Sequence, residues 1–460
     1  MGHRSDKHVI EGVEVREAKP TKSTKKIVFV IALLGCAIMP FTGIGQKIMR
    51  GVGKLLVGDS GVVIKEVEKI VKVPVEVRIP VVTEARAEKD KVVSSHDSSA
   101  EPLESLTKLS GSLDIQLKTK VNMEKSTDLA SVDREVSENY QIDYAISIKL
   151  PKAAQNLEEL EMANPELRQM FPELAKMIST AKVSPYFYQI YKNKTDRTKR
   201  DAPKLKSLLS RHNFFDLQTI LNLTAESGRK VTIIQADMDV VSDGSDGDRL
   251  PIMPEEIVNS TYYQPSTSYF WEKQTETPNP MAAGFEKRVK NAKAELTAPG
   301  TSAARKSWLK DRLKYLETTI EDMKWQSYLV AEYDPFIVIP VNMLKDKDDE
   351  FAPKAGDYAV VIYGDKLYPC IVGDGGPAFK AGEASLRMAK QINQRASPYS
   401  RPVSDLTVTY LVFPNSREAE KSAPNYQAWR EKCQQLIGQM GGLSVDYELH
   451  QWENTLPYSN

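Results

Sequence analysis

The stretch Ala359–Ser385, reading AVVIYGDKLYPCIVGDGGPAFKAGEAS, constrains the fold more than any other part of the chain. Ala359 to Tyr363 is apolar, aromatic or β-branched throughout, the pattern of a buried strand. Gly364-Asp365 supplies a two-residue turn, and Lys366 to Val372 returns as a second strand. Gly373-Asp374-Gly375-Gly376-Pro377 is expected to break that strand sharply. Ala384 to Asn393 reads as a helix with Leu386, Ala389 and Ile392 on one face. Two carboxylates then fall at element ends: Asp374 where a strand stops, and Glu383 where a helix starts. Glycines around Asp374 leave room for a ligand near the backbone. The plainer alternative is a hairpin with an Asp turn and a Glu favoured by the helix dipole.

Other segments extend the pattern. Lys230–Ala236, Phe336–Pro340 and Val408–Phe413 are further short buried-strand sequences, so the fold class is α+β with a β-rich, barrel-like core and a few helices. Ala153–Thr180 reads as helical, interrupted near Pro165 and Pro172, and its Leu/Met stripe suits packing. Ala202–His212 reads as a helix. Pro278–Trp325 is polar, with apolar residues at helical spacing on both sides of Pro299-Gly300. It predicts a helical hairpin inserted over residues 278–325. Ala423–Met440 predicts a further helix ended by Gly441-Gly442, and Leu443–Trp452 a last strand.

Upstream, the chain changes character. Residues 1–26 are polar and end in a lysine-rich flank. Ile27–Gly45 then runs 19 residues without a charged side chain, which at about 1.5 Å per residue nearly spans a hydrocarbon core of about 30 Å. A basic flank before such a run predicts a transmembrane signal anchor, with the remainder exported to the periplasm or cell surface. Leu33-Leu34-Gly35-Cys36 leaves a lipoprotein signal as an alternative, and a buried core helix is a third. Residues 46–110 read as a stalk and linker, with Pro74 and Pro80 excluding one continuous helix. Residues 111–183 read as an accessory α/β region, with strands over Leu113–Leu117 and Tyr144–Leu150.

At 460 residues the chain can hold two or three domains. Lysine plus arginine and aspartate plus glutamate both number 62, so the total charge points to no nucleic-acid partner. The five histidines show no metal-ligand spacing, and no cofactor is implied. Cys370 and Cys433 are expected as reduced, buried thiols. Asp237, Asp239, Asp243, Asp246 and Asp248 fall within twelve residues and repel one another unless counter-charged, by a cation or a cationic ligand. A solvated Asp/Gly turn cluster is the alternative.

Tyr333–Phe413 resembles the characteristic half of glycoside hydrolase family 75, the chitosanases. The resemblance rests on Phe336-Ile-Val-Ile-Pro340, Tyr363-Gly-Asp-Lys-Leu-Tyr368, Gly373-Asp374, Gly382-Glu-Ala-Ser385 and Val408-Thr-Tyr-Leu-Val-Phe413. Upstream, Ala236-Asp-Met-Asp239 and Thr267-Ser-Tyr-Phe270 resemble its earlier steps. It implies a family 75-like domain over 184–415, followed by a C-terminal helix and strand over 416–460. It also implies endo-acting, inverting cleavage of β-1,4 links in a glucosamine polymer, with Asp374 and Glu383 as the catalytic pair. Two carboxylates supply acid and base if their environments separate their proton affinities. Helix-dipole reasoning makes Glu383 the base, and burial against Phe379 or Pro377 makes it the acid; the reading adopted here is Glu383 as acid. Chitosan is a polycation when protonated, so Asp237, Asp239, Asp243 and Asp246, with Tyr368, are the expected substrate-binding residues. Ser184–Tyr191 is an aromatic strand or a sugar-stacking surface, with core packing preferred. The competing function is a non-catalytic cell-envelope or carbohydrate-binding protein that keeps the fold.

Overall fold

The computed structural model describes residues 127–140, 149–204, 211–213 and 215–457. The anticipated membrane segment at Ile27–Gly45, the stalk and the strand at Leu113–Leu117 lie outside those residues, as does most of Tyr144–Leu150. Among the described residues no helix is long and apolar enough to cross a membrane.

The strands in chain order are β1 (Lys182–Val183), β2 (Leu217–Thr224), β3 (Lys230–Val241), β4 (Phe270–Glu272), β5 (Gln326–Tyr328), β6 (Phe336–Pro340), β7 (Tyr358–Tyr363), β8 (Lys366–Gly376), β9 (Glu383–Ser385) and β10 (Val403–Val412). The helices used below are α1 (Leu157–Glu161), α2 (Leu167–Met170), α3 (Leu174–Ser179), α4 (Pro185–Asp201), α5 (Ala282–Thr297), α6 (Ala303–Trp325), α7 (Leu386–Ile392) and α8 (Tyr426–Gln439).

Six strands close on themselves in the order β3-β10-β7-β8-β6-β9, because β9 pairs back onto β3. The four segments read as core strands therefore share one barrel. Closure depends on the length of β3. Its first half pairs antiparallel with β2 as far as Leu217↔Ala236. Its last three residues pair parallel with β9, starting at Asp239↔Glu383. β10 occupies the opposite edge. The free edge of β3 thus passes from one partner to another at Asp237–Asp239. This handover puts two carboxylates at the barrel seam.

Alternation along each strand divides the apolar residues into two clusters. Val231, Ile233, Phe336, Val338 and Val360 join one, packed with α1–α3 and α8. Ile234, Ala236, Ile337, Ile339 and Val361 join the other, with Tyr186, Phe187 and Ile190 of α4. Cys370 and Cys433 are free and buried, as expected.

Three short helices, α1 to α3, replace one long one at Pro165 and Pro172, and α5 and α6 form the anticipated hairpin on either side of Gly300. Other expectations need correction. Ser184–Tyr191 is not a strand but the start of α4, although Tyr186, Phe187, Ile190 and Tyr191 are buried, as the preferred packing reading has it. Ser184 caps it and Pro185 occupies its first turn, a start signal that outweighs the β-preference of the aromatics. Most of the helix expected at Ala202–His212 falls at residues 205–210, outside the described residues; α4 ends at Asp201, and a 3-10 turn spans Arg211–Asn213. Leu443–Trp452 makes no strand, only a single bridge from Leu449 to Leu367. Trp452 instead anchors this tail by donating from its indole to the Pro369 carbonyl at 2.7 Å.

Candidate active site

β8 does not stop at Val372. It continues to Gly376 through an irregularity at Gly373. Beside β6, Ile337 faces Val372, but the next residue, Val338, faces Asp374. The extra residue is a β-bulge, which turns the following side chain to the other face. Asp374 therefore leaves the face of Tyr368 and Val372 and joins that of Val338. Only glycine fits the bulge: a Cβ on Gly373 would lie 2.5 Å from the Phe336 ring and 2.7 Å from Leu329. Gly373→Ala should cost about 1–3 kcal/mol as an overpacked core position. It should also lower the denaturant midpoint and remove whatever activity depends on Asp374; an unchanged midpoint would refute this account of the bulge.

Glu383 does not begin a helix. It opens β9, and the helix starts at Leu386 behind the Ser385 cap. The helix-dipole argument for its protonation state therefore falls away. Across β6, Glu383 also pairs with Val338. Asp239, Glu383, Val338 and Asp374 form one transverse row over β3, β9, β6 and β8, so the two carboxylates flank Val338 on the same face. Gly376 keeps the space beside Glu383 open, since a Cβ there would come within 3.1 Å of Oε2.

The environments of the pair differ. Asp374 Oδ1 accepts from Ser268 Oγ at 2.6 Å, Gly375 N at 2.8 Å and Ser268 N at 2.9 Å. Among the described residues no cation pairs with it. Burial pushes its carboxyl up to about 6, against the pull of those three donors and with help from the nearby charge of Glu383. Glu383 Oε2 lies 3.2 Å from the Lys380 ammonium, which also sits 2.8 Å from Asp239 Oδ2. Burial alone would lower the Lys380 pKa, but the Glu383 and Asp239 carboxylates overcome it and hold it above the usual lysine value. His212 Nε2 lies 3.6 Å from the same Asp239 oxygen.

The remaining expected site residues are not all brought together. Asp243 is close enough for the charges of Asp374 and Glu383 to act on it. Its Oδ1 accepts from Gln264 N at 3.1 Å, and no cation among the described residues pairs with it. Burial pushes its carboxyl up to about 7, with Gln264 acting the other way and the two neighbouring carboxylates adding to the rise. Asp237 is buried against Arg401. Asp246 is fully buried in an ion triad: Arg249 lies 2.5 Å from it and 2.8 Å from Asp334, which leaves no face for a ligand. Tyr368 is buried on the opposite face of β8 from Asp374, against His450 and Trp452. The aspartate run is therefore largely counter-charged by the chain itself. No group of three or more His, Cys, Asp or Glu residues suited to a metal occurs among the described residues.

Sequence reading missed Lys380 and His212, and gave no role to Ser268. Lys380 had one visible signal, its place three residues before Glu383. Ser268 lies 106 residues from Asp374, and His212 is 27 residues from Asp239 (239 − 212), so no local spacing marks either.

The closed barrel thus presents two carboxylates on either side of one strand. Residues 238–443 match the family described as fungal chitosanase of glycosyl hydrolase group 75, so this part of the chain is a glycoside hydrolase family 75-like domain. The match supports a glycosidase, and it runs through α8, which the sequence reading left outside the domain. No curated protein matched the chain.

Proposed function

We propose that the protein is an inverting, endo-acting glycoside hydrolase of β-1,4-linked glucosamine polysaccharide, carried to the outside and held at the membrane by Ile27–Gly45. The observation that carries the catalytic reading is the shared row of Asp374 and Glu383. Each is one strand from Val338, so their Cα atoms are separated by about two strand spacings, roughly 9.5 Å. Side chains rising in parallel from such positions suit the 6.5–9.5 Å carboxyl separation, approximately, of an inverting pair rather than the roughly 5 Å of a retaining one.

The roles follow from the surroundings and reverse the assignment adopted from sequence. Asp374 is the acid: with Oδ1 saturated by three donors, Oδ2 carries the proton to the leaving glycosidic oxygen. Glu383 is the base, activating water beside the Lys380 ammonium. Phe379, expected to bury Glu383, stacks on the Arg197 guanidinium at 4.2 Å. Asp243, counter-charged by no cation among the described residues, suits a glucosamine ammonium.

The test is release of reducing ends from chitosan by the purified protein. Cleavage is expected; none on chitosan or on partly acetylated polymer would leave the carbohydrate-binding reading in its place. The pH profile checks the acid. An acid works protonated, so kcat/KM should fall about tenfold per pH unit above the Asp374 value of about 6. A plateau through pH 8 would exclude Asp374 from that role.

A further inference from the structure

We infer that Lys380 is a positioning residue for Glu383, and that Asp239 is its anchor rather than a substrate subsite. The inference rests on the proposed function and names a component of that same site. Lys380 stands on the connection between β8 and β9, and its side chain is only 10% exposed. The ammonium bridges two carboxylates that are register partners on adjacent strands, Asp239 of β3 and Glu383 of β9. A lysine so enclosed loses most of its rotamer freedom and its water, a cost that only well-placed acceptors offset.

The backbone fixes this geometry. Gly382, at φ +74°, makes the turn from Lys380 into β9, and a Cβ there would meet the Asp237 carbonyl oxygen at 2.4 Å. Asp239 N donates to the Gly382 carbonyl at 2.8 Å, tying the turn to β3. Asp239 also faces His212 and uses its Oδ1 to accept from Val240 N at 3.1 Å. Lys380 and His212 thus meet one Asp239 oxygen, and a backbone amide takes the other. A substrate ammonium would have to displace Lys380 to reach Asp239. Glu383 has one oxygen, Oε2, at Lys380. Among the described residues the groups bearing on it include Lys380, Asp239 beyond it, the buried Tyr410 phenol of β10, and the carboxylates Asp374 and Asp243, whose repulsion the ammonium offsets.

The test compares Lys380→Met and Lys380→Arg with the wild type in two readouts. In the first, kcat for chitosan should fall about 10²-fold in Lys380→Met, the scale of a misplaced catalytic group, with KM little changed. The acidic limb of the pH profile should move to higher pH, the direction expected on losing a cation within about 4–6 Å of a carboxylate. Lys380→Arg should return the limb toward its original place. In the second readout, independent of cleavage, the carboxyl 13C resonance of Glu383 should titrate at higher pH in Lys380→Met than in the wild type. A Glu383 titration that does not move would overturn the inference whether or not the protein cleaves chitosan. Absence of cleavage with a shifted titration would sink the hydrolase reading and leave the Lys380–Glu383 coupling standing. A fall in kcat that Lys380→Arg does not relieve, with the limb unmoved, would mark Lys380 as merely structural and also overturn the inference.

Discussion

Glu383→Gln should yield a folded protein that has lost about 10²–10⁴-fold in polymer cleavage, the usual worth of general acid–base help. Glutamine keeps the shape and can still hydrogen-bond in the row, but it cannot ionise. The space it needs is already present, because Gly376 faces it without a side chain. Asp374→Asn should act similarly, and the double variant should lose little more than either single one, since paired groups work as a unit. The control is thermal unfolding, where a change of about 1 kcal/mol moves the midpoint by only a few degrees. Full activity in a folded Glu383→Gln variant would reject its assignment.

Asp246→Ala should do the opposite, with a large loss of stability and no selective loss of substrate affinity. Asp246 and Asp334 are fully buried on either side of Arg249, and Tyr426 of α8 donates to Asp334 at 2.6 Å. Removing Asp246 leaves Arg249 half-paired in the interior, where breaking a buried ion pair typically costs about 3–5 kcal/mol. Asp246 Oδ1 also accepts from the Asp248 amide at 2.8 Å, so a turn loses its clamp as well. A midpoint lowered by roughly 10 °C is expected. An unchanged melting curve with a raised KM for chitosan would restore Asp246 to the substrate-binding set.

The contrast between Asp246 and Asp243 shows how far the sequence could be read. Both sit in one aspartate-rich run, and nothing local separates them. The difference arises from Arg249 and Asp334, the latter 85 residues away from its arginine partner. Strands β6 and β7 were legible because they are buried on both faces and read as nearly unbroken apolar runs. The hairpin of α5 and α6 was legible from its helical spacing and the Pro299-Gly300 turn. Asp374 and Glu383 stood out in the sequence as a pair, but their local structure did not. The glycines after Val372 looked like a strand end, whereas the neighbouring β6 keeps β8 in register past a bulge. Ala384 and Ser385 looked helical, yet pairing with β3 and β6 holds them extended. In both places long-range strand pairing overrode local preference.

The central claim is that Asp374 and Glu383 act as an acid and a base on either side of a water-sized gap. Its most direct measurement is the anomeric configuration of fresh product, followed by proton NMR in the first minutes of chitosan cleavage. The account predicts that the α anomer appears first from the β-linked polymer and then equilibrates. Initial appearance of the β anomer would contradict it, because retention requires a covalent intermediate and a closer carboxylate pair.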